Sequence, residues 1–170
     1  GLLLGALIIS VVGGVDDIIP LSPGVKLLAQ FIAALVCIRS GIVFNAISNP
    51  NIFSEQSYIE IGFWSYPLTL VWIIGCTNAV NLIDGLDGLA CGVSTISALT
   101  MLVIALCVAD PTVAILMAAL SGACIGFLPY NKNPAKMFMG DTGSLFLGGA
   151  VAGLAFGFDM PLILIPVGIV

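Results

Sequence analysis

The chain has 170 residues, a net charge of -5, 60% hydrophobic and only 8% charged side chains, and a mean hydropathy of +1.22. Soluble domains carry about 25% charged residues, so an ordinary water-soluble core is excluded. Continuous apolar runs of about 20 residues also exclude an outer-membrane barrel, whose strands are shorter and alternate. The expected fold is all-α, a polytopic transmembrane helical bundle of six to seven helices. It forms one membrane-embedded catalytic domain over 1–170. Beginning at Gly1 and stopping at Val170 inside an apolar run, it reads as the central piece of a longer chain.

Four basic residues cannot build a phosphate-tracking patch, so nucleic acid is not an expected partner. Cys37, Cys76, Cys91, Cys107 and Cys124 stand singly in apolar runs, with no CxxC pair and no histidine anywhere. They read as small core residues, and a zinc site is not expected.

In chain order, a first helix over 1–15 delivers Asp16 and Asp17. Pro20, Ser22 and Pro23 mark a turn and a helix start. A second helix, 25–43, carries Lys26 at its entrance and Gln30 one turn on. Residues 44–65 are the longest polar stretch, with Asn45, Asn49, Pro50, Glu55 and Glu60, and Ser57 to Gly62 reads as a small hairpin strand. Helices follow at 66–82, 88–108, 112–130 and 144–158, with a turn at Ala109-Asp110-Pro111. Gly149, Gly153 and Gly157 give the sixth a small-residue packing face. Asp159-Met160-Pro161 opens a seventh helix.

Five of the nine acids sit in three short motif loops. Successive transmembrane helices alternate direction, so the first, third and fifth loops share one side. Those loops hold Asp16 and Asp17, then Asp84 and Asp87, then Asp141. Lys26, Lys132 and Lys136 lie on that same side and Arg39 near the other, so the positive-inside tendency makes the acidic face cytoplasmic.

Asn78, Asn81, Asp84 and Asp87 recur every third residue, forming one polar stripe if the third helix runs on to Gly88. Such a stripe in an apolar protein is costly unless it faces a cation, water or a polar ligand. The adjacent carboxylates of Asp16 and Asp17 repel unless a cation or protons intervene. Carboxylate and amide oxygens, without thiolate or imidazole, select Mg2+, with Mn2+ the alternative. Asp141, in Phe138-Met-Gly-Asp-Thr-Gly-Ser144, sits just before a helix. It serves there either as a cap or beside a phosphate bound at the helix N-terminus. Lys132 and Lys136 add positive charge for an anionic substrate or merely anchor the chain at the membrane surface. Phe138 stacks on a nucleobase or packs. Together the parts suit transfer of a phosphosugar from a soluble nucleotide donor to a lipid phosphate. No Walker A loop supports an ATP-driven motor.

Three segments, Val15 to Gln30, Asn78 to Ala90 and Asn131 to Ser144, resemble the polyprenyl-phosphate N-acetylhexosamine-1-phosphate transferases of glycosyltransferase family 4. The resemblance implies that Asp16 and Asp17 are catalytic and handle the lipid phosphate, and that Asp84 and Asp87 are active-site acids. It implies Asp141 as metal ligand with Asn81 as a neighbouring oxygen donor, and Asn78, Asn131, Lys136 and Phe138 as substrate-binding. The implied partners are a polyprenyl phosphate and a UDP-sugar donor. The activity is transfer of N-acetylglucosamine-1-phosphate from UDP-N-acetylglucosamine to undecaprenyl phosphate, with release of UMP, as the first membrane step of a cell-envelope glycan. Phospho-N-acetylmuramoyl-pentapeptide transfer is the alternative within the family. The implied location is the cell membrane, and a homodimer stays open. The family's later histidine-rich loop has no counterpart here. From another class, an ion-coupled transporter would place its acids at mid-helix depth, whereas these lie at helix ends on one side.

Overall fold

The computed structural model describes residues 1–44, 46–48 and 58–155. Six α-helices follow in order within them: α1 (Leu2–Ile18), α2 (Pro23–Arg39), α3 (Ser65–Ile83), α4 (Leu89–Cys107), α5 (Pro111–Asn131) and α6 (Gly140–Ala155). Two three-residue strands, β1 (Ala46–Ser48) and β2 (Tyr58–Glu60), pair antiparallel with Ile47 opposite Ile59. The strand expected between Ser57 and Gly62 is therefore present but short, and a 3-10 turn (Gly62–Trp64) leads from it into α3. Asn45, Asn49, Pro50 and Glu55, the end of the sixth helix with Gly157, and the seventh helix lie outside the described residues.

Three stretches, Gly62–Ile83, Leu89–Cys107 and Pro111–Asn131, are long and apolar enough to cross a membrane. Helices α1 and α2 have 17 residues each, and α6 has 16 among the described residues. Large apolar side chains point outward all around the bundle, among them Leu7 and Val11 of α1, Ile32 of α2, Val103 of α4 and Ile115 of α5. In water such a surface would aggregate, whereas in lipid it is the solvent-compatible face. The protein is a helical membrane protein.

The helix ends follow local chemistry. α2 stops at Arg39, four residues before the expected 43, because Gly41 turns to φ +86 and the Ile42 N–H donates back to the Cys37 carbonyl at 3.1 Å. α5 begins as expected, with Asp110 accepting from the Thr112 and Val113 amides at 2.9 and 3.1 Å and Pro111 in the first turn.

α6 is the axis of the assembly, packing against α1, α3 and α4 and burying almost every residue from Ser144 to Ala155. α2 bridges α1 and α3, and α4 pairs with α5. Cys91, Met101, Met117 and Cys124 fill the α4–α5 seam against Leu147 and Val151 of α6. Three cysteines are thus core residues, while Cys107 is exposed. The small-residue face of α6 includes the expected Gly149 and Gly153, which face the side chains of Ile9 and Leu2, and adds Gly148, where a Cβ would lie 2.7 Å from the Thr77 Cα and the two backbones meet. At the other end of α6, Gly13 of α1 lets the backbone of Asp141 and Thr142 come within 2.8 Å of where a Cβ would stand.

Those two glycines set how deeply α6 inserts. Gly148→Ala is expected to cost about 1–3 kcal/mol by overpacking, read as a lower thermal midpoint in detergent. Gly122→Ala, at a site with nothing within 4 Å, should leave the midpoint level or slightly raised.

Candidate functional site

The end of α1, the start of α2, the end of α3, the start of α4, the end of α5 and the start of α6 meet at one end of the bundle. Hydrogen bonds tie most of them together there. Asp16 and Asp17 are neighbours in sequence but diverge by about 100° around α1, and the structure uses that divergence. Asp16 Oδ1 accepts from the Leu21 amide at 2.7 Å, and its Oδ2 lies 3.0 Å from Lys26 Nζ. Asp17 turns to α6, accepting from the Asp141 amide (2.8 Å), the Thr142 amide (3.1 Å) and the Thr142 hydroxyl (2.5 Å).

Asp17 is therefore the cap of α6, supplied from another helix. The sequence offered Asp141 as a local cap of α6, or as a neighbour of a phosphate bound there. Instead α6 begins at Gly140, so Asp141 lies in its first turn rather than ahead of it. Gly140 takes φ +67, and a Cβ there would strike the Asp17 carboxylate at 2.8 Å. The negative charge of Asp17 also complements the partial positive charge of the helix start.

Asp141 projects from that first turn into a polar cage. Its Oδ2 accepts from Lys26 Nζ at 2.8 Å, and its Oδ1 from Asn81 Nδ2 at 3.1 Å. Asn81 donates to Ser144 Oγ as well, at 2.8 Å. Lys26 thus bridges Asp16 and Asp141, and its two ion pairs are the only ones among the described residues. The sequence put Lys26 on the acidic face but gave no sign that it joins two motifs 115 positions apart in the chain.

The predicted stripe breaks where α3 does. The helix ends at Ile83, with Asp84 as its C-cap, so Asp87 leaves the row. Asn78, one turn deeper than Asn81, is engaged with the buried Gln30: it donates to Gln30 Oε1 (2.5 Å) and accepts from Gln30 Nε2 (3.3 Å). That amide pair clamps α2 to α3. Asp84 is half-buried and makes no side-chain hydrogen bond among the described residues. Its carboxyl is held above the usual carboxylate range, first by burial and then by the charges of Asp141 and Asp17.

Asp87 instead faces the connection between α5 and α6. Its Oδ2 accepts from Asn133 Nδ2 (3.2 Å) and the Ala135 amide (2.9 Å). Asn131, almost fully buried at the end of α5, donates to the Met137 carbonyl at 3.1 Å, and its own Oδ1 is buried without a partner. Lys132 and Lys136 are exposed, as is Phe138 at 79%. The structure thus brings Asp16, Asp17, Asn81, Asp84 and Asp141 to one centre with Lys26, while Asn78 and Asp87 are taken up in holding neighbouring elements.

Among the described residues no three Asp, Glu, Cys or His side chains are grouped to hold a metal ion by themselves. Magnesium seldom needs such a cage, being bound by one or two carboxylates with the rest of its shell from water and substrate phosphates. Asp141 and the unpartnered Asp84 fit that requirement in number and in hardness of donor. A cation arriving at Asp141 would take the place that the Lys26 ammonium holds at Oδ2.

An apolar bundle that collects four aspartates and a lysine at one end defines a membrane protein with an acidic, oxygen-donor site at a helix N-terminus. The sequence profile described as Glycosyl transferase family 4 matches residues 1–158, and the chain belongs to that family. It is 46% identical over 149 residues to a Bacillus subtilis protein named probable undecaprenyl-phosphate N-acetylglucosaminyl 1-phosphate transferase, covering 88% of this chain and 41% of that one. It is also similar to proteins named phospho-N-acetylmuramoyl-pentapeptide-transferase. The one from Caldanaerobacter subterraneus is 46% identical over 148 residues, covering 85% and 46% of the two chains. That from Heliobacterium modesticaldum is 43% identical over 179 residues, covering 99% and 56%. The chain spans about half the length of these relatives.

Asp84 gives a direct test of the electrostatics. With its folded value raised, its contribution to stability is present below the unfolded value near 3.8 and is lost as pH rises through the folded value. Asp84→Asn should therefore raise the thermal midpoint at neutral pH without divalent cation and flatten its dependence on pH just above 4. An unchanged midpoint would mean the carboxylate is already neutralised in the wild type.

Proposed function

We propose that the full-length protein transfers a phosphosugar from a UDP-sugar to a polyprenyl phosphate at the cytoplasmic face of the cell membrane. The donor we favour is UDP-N-acetylglucosamine and the acceptor undecaprenyl phosphate, with UMP released. One observation carries the reading: Asp16, Asp17, Asp84 and Asp141, from three distant segments, converge with Lys26 at one end of an apolar bundle. Lys132 and Lys136, close in sequence to the end of α5, support a cytoplasmic orientation under the positive-inside tendency.

In the reaction an oxygen of the lipid phosphate attacks the sugar-bearing phosphorus of the donor. The new P–O bond forms as the bond to the bridging oxygen breaks, and UMP leaves with that electron pair. A phosphate monoester has a second pKa of about 6 and is largely ionised at neutral pH, so little proton abstraction is required of Asp16. Its contacts to Lys26 and to the Leu21 amide suit it to orienting the ammonium toward phosphate oxygens. Asp17, by fastening the start of α6, fixes where Asp141 points. Mg2+, with Mn2+ the alternative, would be held by Asp141, with Asn81 and Asp84 as further oxygen donors, and would neutralise charge on the diphosphate. Asn78 holds α2 against α3 through Gln30, and Asp87 holds the connection between α5 and α6. Phe138 offers an exposed ring and Lys136 a cation to the nucleotide portion of the donor, while the buried Asn131 shapes the loop that carries them by donating to the Met137 carbonyl.

Phospho-N-acetylmuramoyl-pentapeptide transfer is the second reading, favoured by the relatives of that name at nearly the same identity. The test is a transfer assay on the full-length protein in membranes, with undecaprenyl phosphate, magnesium and either UDP-N-acetylglucosamine or UDP-N-acetylmuramoyl-pentapeptide. Labelled lipid from the first donor alone is expected. Product from the second alone would reassign the substrate, and full activity under chelation would overturn the metal's role. Asp141→Asn should lose about 100-fold or more, the scale on which electrostatic stabilisers of a transition state act.

A further inference from the structure

We infer that Asp87 is a positioning residue: it latches the 131–138 loop to the α3–α4 turn, and it acts on the substrate only through that loop. The geometry is specific. The loop is first closed on its own helix, since the Lys136 and Met137 amides both donate to the Tyr130 carbonyl, at 2.8 and 3.1 Å, and Asn131 donates to the Met137 carbonyl. Those bonds shape the loop without saying where it lies relative to the rest of the bundle. Of the hydrogen bonds made by loop residues 132–136, the two that reach another element both end on one atom, Asp87 Oδ2. One comes from the Asn133 side chain and one from the Ala135 backbone.

A second feature marks the same contact as built. Gly88, next in sequence, takes φ +75 and starts α4, and a Cβ on it would lie 3.3 Å from the Lys132 Cα. The turn and the loop therefore approach backbone to backbone, with the Asp87 carboxylate as the fastener beside the seam. Both hydrogen bonds that Asp87 makes among the described residues go to the loop through Oδ2, and neither Asp141 nor Lys26 bonds to it. The row of Asn78, Asn81, Asp84 and Asp87 thus divides its work. Asp84 remains open toward the charged centre, whereas Asp87 sets the position of Lys132, Lys136 and Phe138.

The consequence for substrate rests on the proposed function, but the latch itself does not, and the test separates the two. In full-length protein in nanodiscs, amide hydrogen exchange of the 131–138 segment is compared between wild type, Asp87→Ala, Asp87→Asn and Asn133→Ala. Kinetics with UDP-N-acetylglucosamine run in parallel. An amide oxygen can still accept both bonds, so Asp87→Asn should keep wild-type exchange and most of the activity. Asp87→Ala should speed exchange in the segment and raise the KM for the donor about ten-fold, with kcat changing less. Asn133→Ala, which removes one of the two bonds, should fall between.

Asp87→Asn as inactive as Asp87→Ala, with exchange still at the wild-type level, would make Asp87 a reacting acid and overturn the inference. So would unchanged exchange in Asp87→Ala. A wild type that turns over no UDP-sugar would defeat the functional reading alone, because the exchange comparison still decides the latch.

Discussion

A carboxylate from α1 satisfies the free amides at the start of α6. Unpaired N–H groups at a helix start are costly away from water, and in a bilayer there is less water still to meet them. Asp17 meets two of them and the Thr142 hydroxyl together. That bond requires Gly13 and Gly140, which allow α1 and α6 to come so close, and Gly148 holds the far side of α6 against α3. With α6 fixed in depth and angle, Asp141 has one place to go.

That place is crowded with charge, and the structure balances it unequally. Lys26 lies between Asp16 and Asp141 as a built-in counter-cation. Asp84 has no such partner among the described residues, and its carboxyl is raised first by burial and then by the charges of Asp141 and Asp17. A site with one tethered cation and one unsatisfied carboxylate is suited to taking up a further positive charge along with an anionic ligand. In a mostly apolar protein this polarity is affordable at the helix ends, where headgroups and water begin. One turn deeper than Asn81, Gln30 and Asn78 are neutral and paired with each other.

Much of this was legible in the sequence. Apolar runs near bilayer length gave the helices, Pro111 and Asp110 gave the start of α5, and alternation of helix direction put the three acidic loops at one end. The resemblance to the transferase family rested on the same three segments that the structure brings together. What was not legible is how neighbours in sequence part in space. Periodicity put Asp87 on one stripe with Asn78, but the helix ends at Ile83 and the carboxylate turns to the α5–α6 loop instead. Capping propensity is local, so it could not reveal that α6 borrows its cap from a residue 124 positions earlier. Counting glycines at every fourth position chose Gly149 and Gly153, which do meet the side chains of Ile9 and Leu2, but the approach of backbone to backbone depends on which face α3 covers and falls at Gly148.

In the proposed function Asp141, with Asn81 and Asp84, holds one divalent ion shared with the donor's diphosphate. That assignment is tested most directly by electron paramagnetic resonance of Mn2+ added to the full-length protein with UDP-N-acetylglucosamine and no lipid acceptor. A bound Mn2+ signal carrying coupling to phosphorus is expected, and it should be lost in Asp141→Asn. A bound signal of equal strength in that variant, or one without phosphorus coupling in the wild type, would contradict the assignment.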